Sequence, residues 1–195
     1  MCIGIKANKE LIGNLMILLA TECKPLYHTK LLKLLYLIDE ESVKRTGVPI
    51  TWLNYKAWMH GPVTEDVYYS KYKRHNKFSD YVLFSLSEDG SCIIKPVAEF
   101  KDSEFSDMDL YIISDVIEKH GKKTSNQLVK LTHNNGSLYD ATKKKYDIEF
   151  SKDNCTSDIN IDFQELLRTD SQRAEYQYAL ENMRSKSISD NVSCR

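Results

Sequence analysis

Lys30-Leu31-Leu32-Lys33-Leu34-Leu35-Tyr36-Leu37-Ile38 is the stretch on which the fold turns. Its apolar positions wrap most of the way round a helix instead of marking one stripe. A helix that oily has to be central and covered on several sides. The periodicity predicts a helix from about Thr29 to Arg45, stopped by Gly47. Its last turns change character, since Glu40–Lys44 and Glu41–Arg45 are spaced as i,i+4 ion pairs on a wet face.

Upstream, Leu11, Ile12, Leu15, Met16 and Leu19 recur at helical spacing behind Asn8, a good capping residue, and predict a helix over 8–22. Downstream, Ile50 to Trp58 is rich in β-branched and aromatic residues and predicts a strand. Gly61-Pro62 is then read as the start of a third helix, with Val63, Val67, Tyr68 and Tyr72 on its inner face. Two strand-like runs between Tyr81 and Val97 flank Glu88-Asp89-Gly90, a hairpin turn signal, and Pro96 closes the second. Ser106 with Asp109, and Thr124 with Gln127, are capping pairs that open two helices joined by a short turn near Gly121. A short helix follows over Leu138–Lys145, and Thr169 with Gln172 opens a last one bearing Tyr176, Leu180 and Met183. The expected fold is mainly α, of the α+β class: a helical domain with a small antiparallel β element, its strands near 50–58, 81–86 and 92–97.

A chain of 195 residues with 42% hydrophobic residues can bury a substantial core. Composition changes near residue 147. Seven lysines face one acid between Lys119 and Tyr146, whereas seven acids face Lys152 and Arg168 between Asp147 and Asp170. This shift divides the chain into a domain at 1–150 and an acidic linker with a C-terminal helical tail at 151–195.

The residues argue against most chemistry. Lys plus Arg (27) nearly balances Asp plus Glu (28), so no global field favours nucleic acid or an anionic membrane. Five scattered cysteines without a C-x-x-C pair indicate neither a disulfide framework nor a zinc knuckle, and fit a reducing compartment. Met1–Lys6 lacks the pattern of a secretory leader, and the oily run 11–20 is too short to span a bilayer, so the cytoplasm is expected. No phosphate loop, H-E-x-x-H or G-x-S-x-G is present, and the five histidines lack ligand spacing. Neither a catalytic residue, a cofactor nor a metal is expected. One rival reading comes from the helix pair 106–134: Asn126, Gln127, Lys130 and His133 suit a helix-turn-helix regulator that reads DNA. The near-neutral charge weighs against it.

One run is neither routine core nor ordinary surface. Trp52-Leu53-Asn54-Tyr55-Lys56-Ala57-Trp58-Met59-His60-Gly61-Pro62-Val63, followed by Tyr68, holds both tryptophans and a tight Gly-Pro corner. Together, the Lys30–Leu37 helix, the Trp58–Val63 corner with Tyr68, and Leu128–His133 followed by Gly136–Tyr139 resemble the Panacea (SocA-like antitoxin) domain. Tyr139 stands where that family usually has Trp, and Leu138 where Pro often precedes it. The resemblance covers about 8–146 and implies a helical domain with a small β element. It also implies the antitoxin of a bacterial or phage toxin–antitoxin pair, which holds a cognate toxin by direct contact and can work in a chaperone-like way or as an adaptor to a protease. On that reading Tyr36, Trp58, His60, Gly61, Pro62, Val63, His133 and Tyr139 are the candidate partner-binding residues. The oligomeric state is left open.

Overall fold

The computed structural model describes residues 7–193, with side chains as far as residue 185. The reading made for Met1–Lys6 falls outside them. Helix α1 (Lys9–Glu22) opens at Asn8, whose side chain accepts from the backbone N–H groups of Glu10 and Leu11. Strand β1 (Leu26–Tyr27) leads directly into α2 (His28–Thr46), the oily helix. Gly47 ends α2 in the left-handed conformation, as the sequence predicts. Leu31, Leu34, Leu35 and Ile38 are fully buried, and Leu32 and Leu37 nearly so. Helix α2 is therefore the axis of the molecule, with α4 (Asp107–His120), α5 (Ser125–Thr132), β1 and the strands Gly61–Val63 and Cys92–Pro96 packed against it, and α1 lying on the strands Val82–Leu86 and Cys92–Pro96.

The β element forms two antiparallel sheets. Strands β4 (Val82–Leu86) and β5 (Cys92–Pro96) make the expected hairpin, and β1 adds to the far side of β5 through Leu26–Ile94 and Tyr27–Ile93. The second sheet is a tight hairpin of β2 (Lys56–Trp58) and β3 (Gly61–Val63), in the register Lys56–Val63, Ala57–Pro62 and Trp58–Gly61.

Two local expectations are corrected here. The strand foreseen over 50–58 is limited to its last three residues. Its first half instead folds around the Asp39 carboxylate, which accepts from the Thr51 N–H and hydroxyl and from the Tyr55 hydroxyl. Trp52 takes φ 53°, which breaks an extended run. Gly61-Pro62 does not begin a helix. It forms β3, and the helical turn α3 (Glu65–Tyr68) begins behind Thr64. Because α3 is a single turn, Tyr72 lies beyond it and is exposed, not on an inner face.

Helices α4 and α5 carry both predicted capping boxes, and α6 (Leu138–Lys145) has the predicted limits. The acidic stretch after 147 lies along β2. Ala57 N–H donates to the Ile159 carbonyl (2.9 Å), Met59 N–H to that of Cys155 (2.8 Å), and Ile161 N–H to that of Tyr55 (2.7 Å). Phe163 is stacked on Tyr36 at 5.6 Å between ring centroids and meets Tyr55 edge-on at 5.7 Å. Helix α7 (Asp170–Ser193) then places Tyr176 against Trp52 at 5.3 Å, and buries Leu180. Ile161, Phe163, Leu167, Tyr176 and Leu180 thus share the core of the preceding segment.

Candidate functional site

The two lysines of the oily run explain why it can carry them. Lys30 is buried and donates to the Cys23 carbonyl (2.9 Å), one of the acceptors left open where α1 ends. Lys33 is 1% exposed, and its ammonium donates to the Pro62 carbonyl at 2.7 Å. Removing such a cation from water is expensive, and the folded protein shows the cost: burial pulls Lys33 down to about 7 from an ordinary 10.5. The side chain therefore works as a bolt from the central helix to the β2–β3 hairpin.

Around that bolt the fit is close. Gly61 has φ +94°, and a Cβ there would stand 2.8 Å from the Thr132 hydroxyl and 3.1 Å from the Lys33 ammonium. Glycine is required on both counts. The Tyr139 hydroxyl donates to the Trp58 carbonyl (2.7 Å), which ties α6 to the end of β2. His133 stacks on Tyr139 at 4.5 Å between centroids. Its Nε2 is buried without a hydrogen-bond partner among the described residues, and its basicity is lowered first by burial and then by Lys33. The Trp58 indole N–H reaches the Ser157 carbonyl at 3.2 Å, and its ring meets Tyr68 at 4.8 Å.

The sequence-named residues are thereby sorted by burial. Trp58, Gly61, Pro62, Val63 and Tyr139 are buried within the hairpin and its support, His133 is half-buried beside them, and His60 at the turn is exposed. Tyr36 belongs to a neighbouring cluster with Tyr55, Phe163 and Asp39, where its hydroxyl donates to Glu40 at 3.0 Å. The arrangement therefore does not gather Tyr36, Trp58, His60 and His133 into one reacting centre. What it makes is a rigid turn, Met59-His60, held from four directions. Lys33 and Thr132 stand in the sequence only as parts of a pattern, with no role that local spacing assigns. The signal was there: a lysine in a run with no wet face has to find a buried acceptor.

The rival pair α4–α5 presents Asn126, Gln127 and Lys130 to solvent. The Gln127 side-chain oxygen is already occupied, accepting from the Thr124 N–H at 2.8 Å. Among the described residues no cluster of three His, Cys, Asp or Glu side chains has the geometry to hold a metal ion, and no helix is long and apolar enough to cross a membrane.

Neither the curated proteins nor the solved structures include a match to this chain. The family model described as antitoxin SocA-like, Panacea domain, matches residues 31–138, from the oily helix through α5 to the first residue of α6. That span is more than half of the chain and contains the bolt, the hairpin and the Thr132–His133 support, so the protein belongs to the SocA-like antitoxin family, with a Panacea domain.

Proposed function

We propose that this protein is the antitoxin of a toxin–antitoxin pair and neutralises its cognate toxin by direct binding, without catalysing a reaction. The observation that carries the reading is the family match over 31–138, and within that span the exposed His60 turn is a surface suited to contact. The buried residues named above hold that turn, and a partner meets them through the residues they position. A surface fixed before binding loses little conformational entropy on association, which favours affinity. His60 supplies a ring able to donate and accept at the tip of the hairpin. The cytoplasm is the compartment this reading assigns, since the toxin would act where it is made. Within it, residues 1–150 form the toxin-binding domain and 151–195 an appended strap and helix.

Co-expression tests the proposal. The product of a reading frame adjacent to this one should arrest growth when expressed alone, and growth should return when this protein is co-expressed. The two purified chains should then elute as one complex. Arrest that persists despite abundant soluble protein would overturn the reading. Tight, sequence-selective binding to an operator at physiological salt, relaxed by Gln127→Ala, would replace it with the regulator.

A further inference from the structure

Next to the hairpin the chain runs Tyr69-Ser70-Lys71-Tyr72-Lys73-Arg74-His75-Asn76-Lys77, with five basic side chains and no acid. Two short 3-10 turns, Tyr69–Lys71 and Lys73–His75, fold it against β4. Tyr69 and Lys71–His75 line an open concavity of about 670 Å³ together with Phe84 and Leu86. The floor is apolar and the rim cationic. Tyr69, Tyr72 and Leu86 are 42%, 47% and 56% exposed. Lys77 is paired with Asp66, but Lys73 and Arg74 have no carboxylate partner among the described residues. Rings run without a break from the hairpin into this concavity: Trp58 to Tyr68 at 4.8 Å, Tyr68 to Tyr69 at 5.2 Å, and Tyr69 to His75 at 6.4 Å.

An apolar hollow ringed by unpaired cations suits an occupant that offers an apolar side chain flanked by carboxylates. It suits single-stranded nucleic acid less well. Bases need free aromatic faces to stack on, and here the Lys71 ammonium sits over both Tyr68 (4.1 Å to the centroid) and Tyr72 (5.1 Å). We infer that the Tyr69–His75 concavity is a docking surface for an acidic segment of the partner protein, anchored by an apolar side chain and linked to the β2–β3 hairpin through the Trp58–Tyr68–Tyr69 ring contacts. The inference rests on the antitoxin reading for the identity of the partner, but not for the chemistry of the surface.

The test uses the full chain and three labelled probes: a short peptide with one Phe amid Asp and Glu, the same peptide with Asn and Gln in their place, and a short single-stranded oligonucleotide. The acidic peptide should bind, and the amide peptide and the oligonucleotide should not. The double variant Lys73→Glu/Arg74→Glu should weaken peptide binding about tenfold or more, and added salt should do the same. Tyr72→Ala should weaken it too, and all variants should melt as the wild type does. Equal binding by the double variant, or no binding of the acidic peptide, overturns the inference. Tighter binding of the oligonucleotide overturns it in favour of nucleic acid. If the wild type rescues growth and the double variant rescues as well, the docking surface fails while the antitoxin reading stands. If the wild type does not rescue, the antitoxin reading fails and the peptide arm alone decides the surface.

Discussion

The buried lysine at the centre of the fold has a measurable consequence for stability against pH. Lys33 titrates at about 7 when folded and near 10.5 when its surroundings are removed. Between those values the unfolded chain holds a proton that the folded chain has released, so stability rises with pH across that window. Each pH unit over which this difference is complete contributes about 1.4 kcal/mol. From about pH 7 to about pH 9 the folded lysine passes from half to almost fully neutral, and the gain comes to about 2 kcal/mol. For a chain of this size that is about 4–8 °C in melting temperature. The measurement stops near pH 9 because Cys23 and Cys92, whose thiols burial pushes up, act with the opposite sign above it. Chemical denaturation or calorimetry at intervals across the window reads the effect. Lys33→Met fills similar space without a titrating group, and should flatten the profile while leaving the Pro62 carbonyl unpaired, at a cost of about 1–3 kcal/mol. A wild-type profile that is flat or falling, or an identical rise in Lys33→Met, would refute the bolt.

Leu35 is fully buried in α2, so Leu35→Ala should lose about 2–5 kcal/mol in urea denaturation; a loss below about 1 kcal/mol would move α2 to the periphery. Phe163→Ala should cost about 3–5 kcal/mol on the same scale, because it uncovers Tyr36 and Tyr55, and a chain cut at residue 150 should lose more. His60→Ala should leave the melting temperature unchanged yet weaken growth rescue and toxin affinity; unchanged affinity would remove the turn from the contact surface. His28, brought down to about 4 by burial and then by Lys71, should contribute stability that falls away as pH drops from about 6.5 to about 4. His28→Phe should lose that slope, and retention of it would assign the slope to another group.

Patterns confined to one element were legible in the sequence. The Asn8 cap, both capping boxes, the Gly47 stop and the limits of α6 depend on neighbours within four residues, and all occur as read. What escaped depends on partners far along the chain. Lys33 meets its acceptor 29 positions away. Ile50 to Tyr55 has the composition of a strand, but the Asp39 carboxylate draws its backbone into a loop. Gly61-Pro62 has the look of a helix start, and local preference alone could not show that the Pro62 carbonyl is needed by Lys33. Charge marks the stretch after 150 as a linker. Its alternation Ile159-Asn160-Ile161-Asp162-Phe163 carries the period of two that marks a half-buried extended segment, and Ile161 and Phe163 are indeed buried. Net charge hid a pattern that hydrophobic spacing would have exposed.

The same strap bears on the proposed site. Strand β2 has two edges: β3 pairs with one, and residues 155–161 cover the other through the bonds from Ala57, Met59 and Ile161. The Lys56 ammonium closes the arrangement at its far end, with Asp158 at 2.8 Å and Glu65 at 2.6 Å. An uncovered edge would leave unpaired N–H and carbonyl groups beside the His60 turn and let that turn move. The family match ends at residue 138, so this second edge is covered by a segment outside the matched span. On the proposed reading, a partner docking at the turn meets a surface held partly from within the matched span, through Lys33, and partly from outside it, through Tyr139 and the strap. Loss of toxin affinity on removing the strap would then arise without any contact between strap and toxin. Stability and affinity should fall together along a series such as Phe163→Ala, Ser157→Ala and the chain cut at residue 150. A strap that touched the toxin directly would separate the two, lowering affinity in variants whose melting temperature is unchanged.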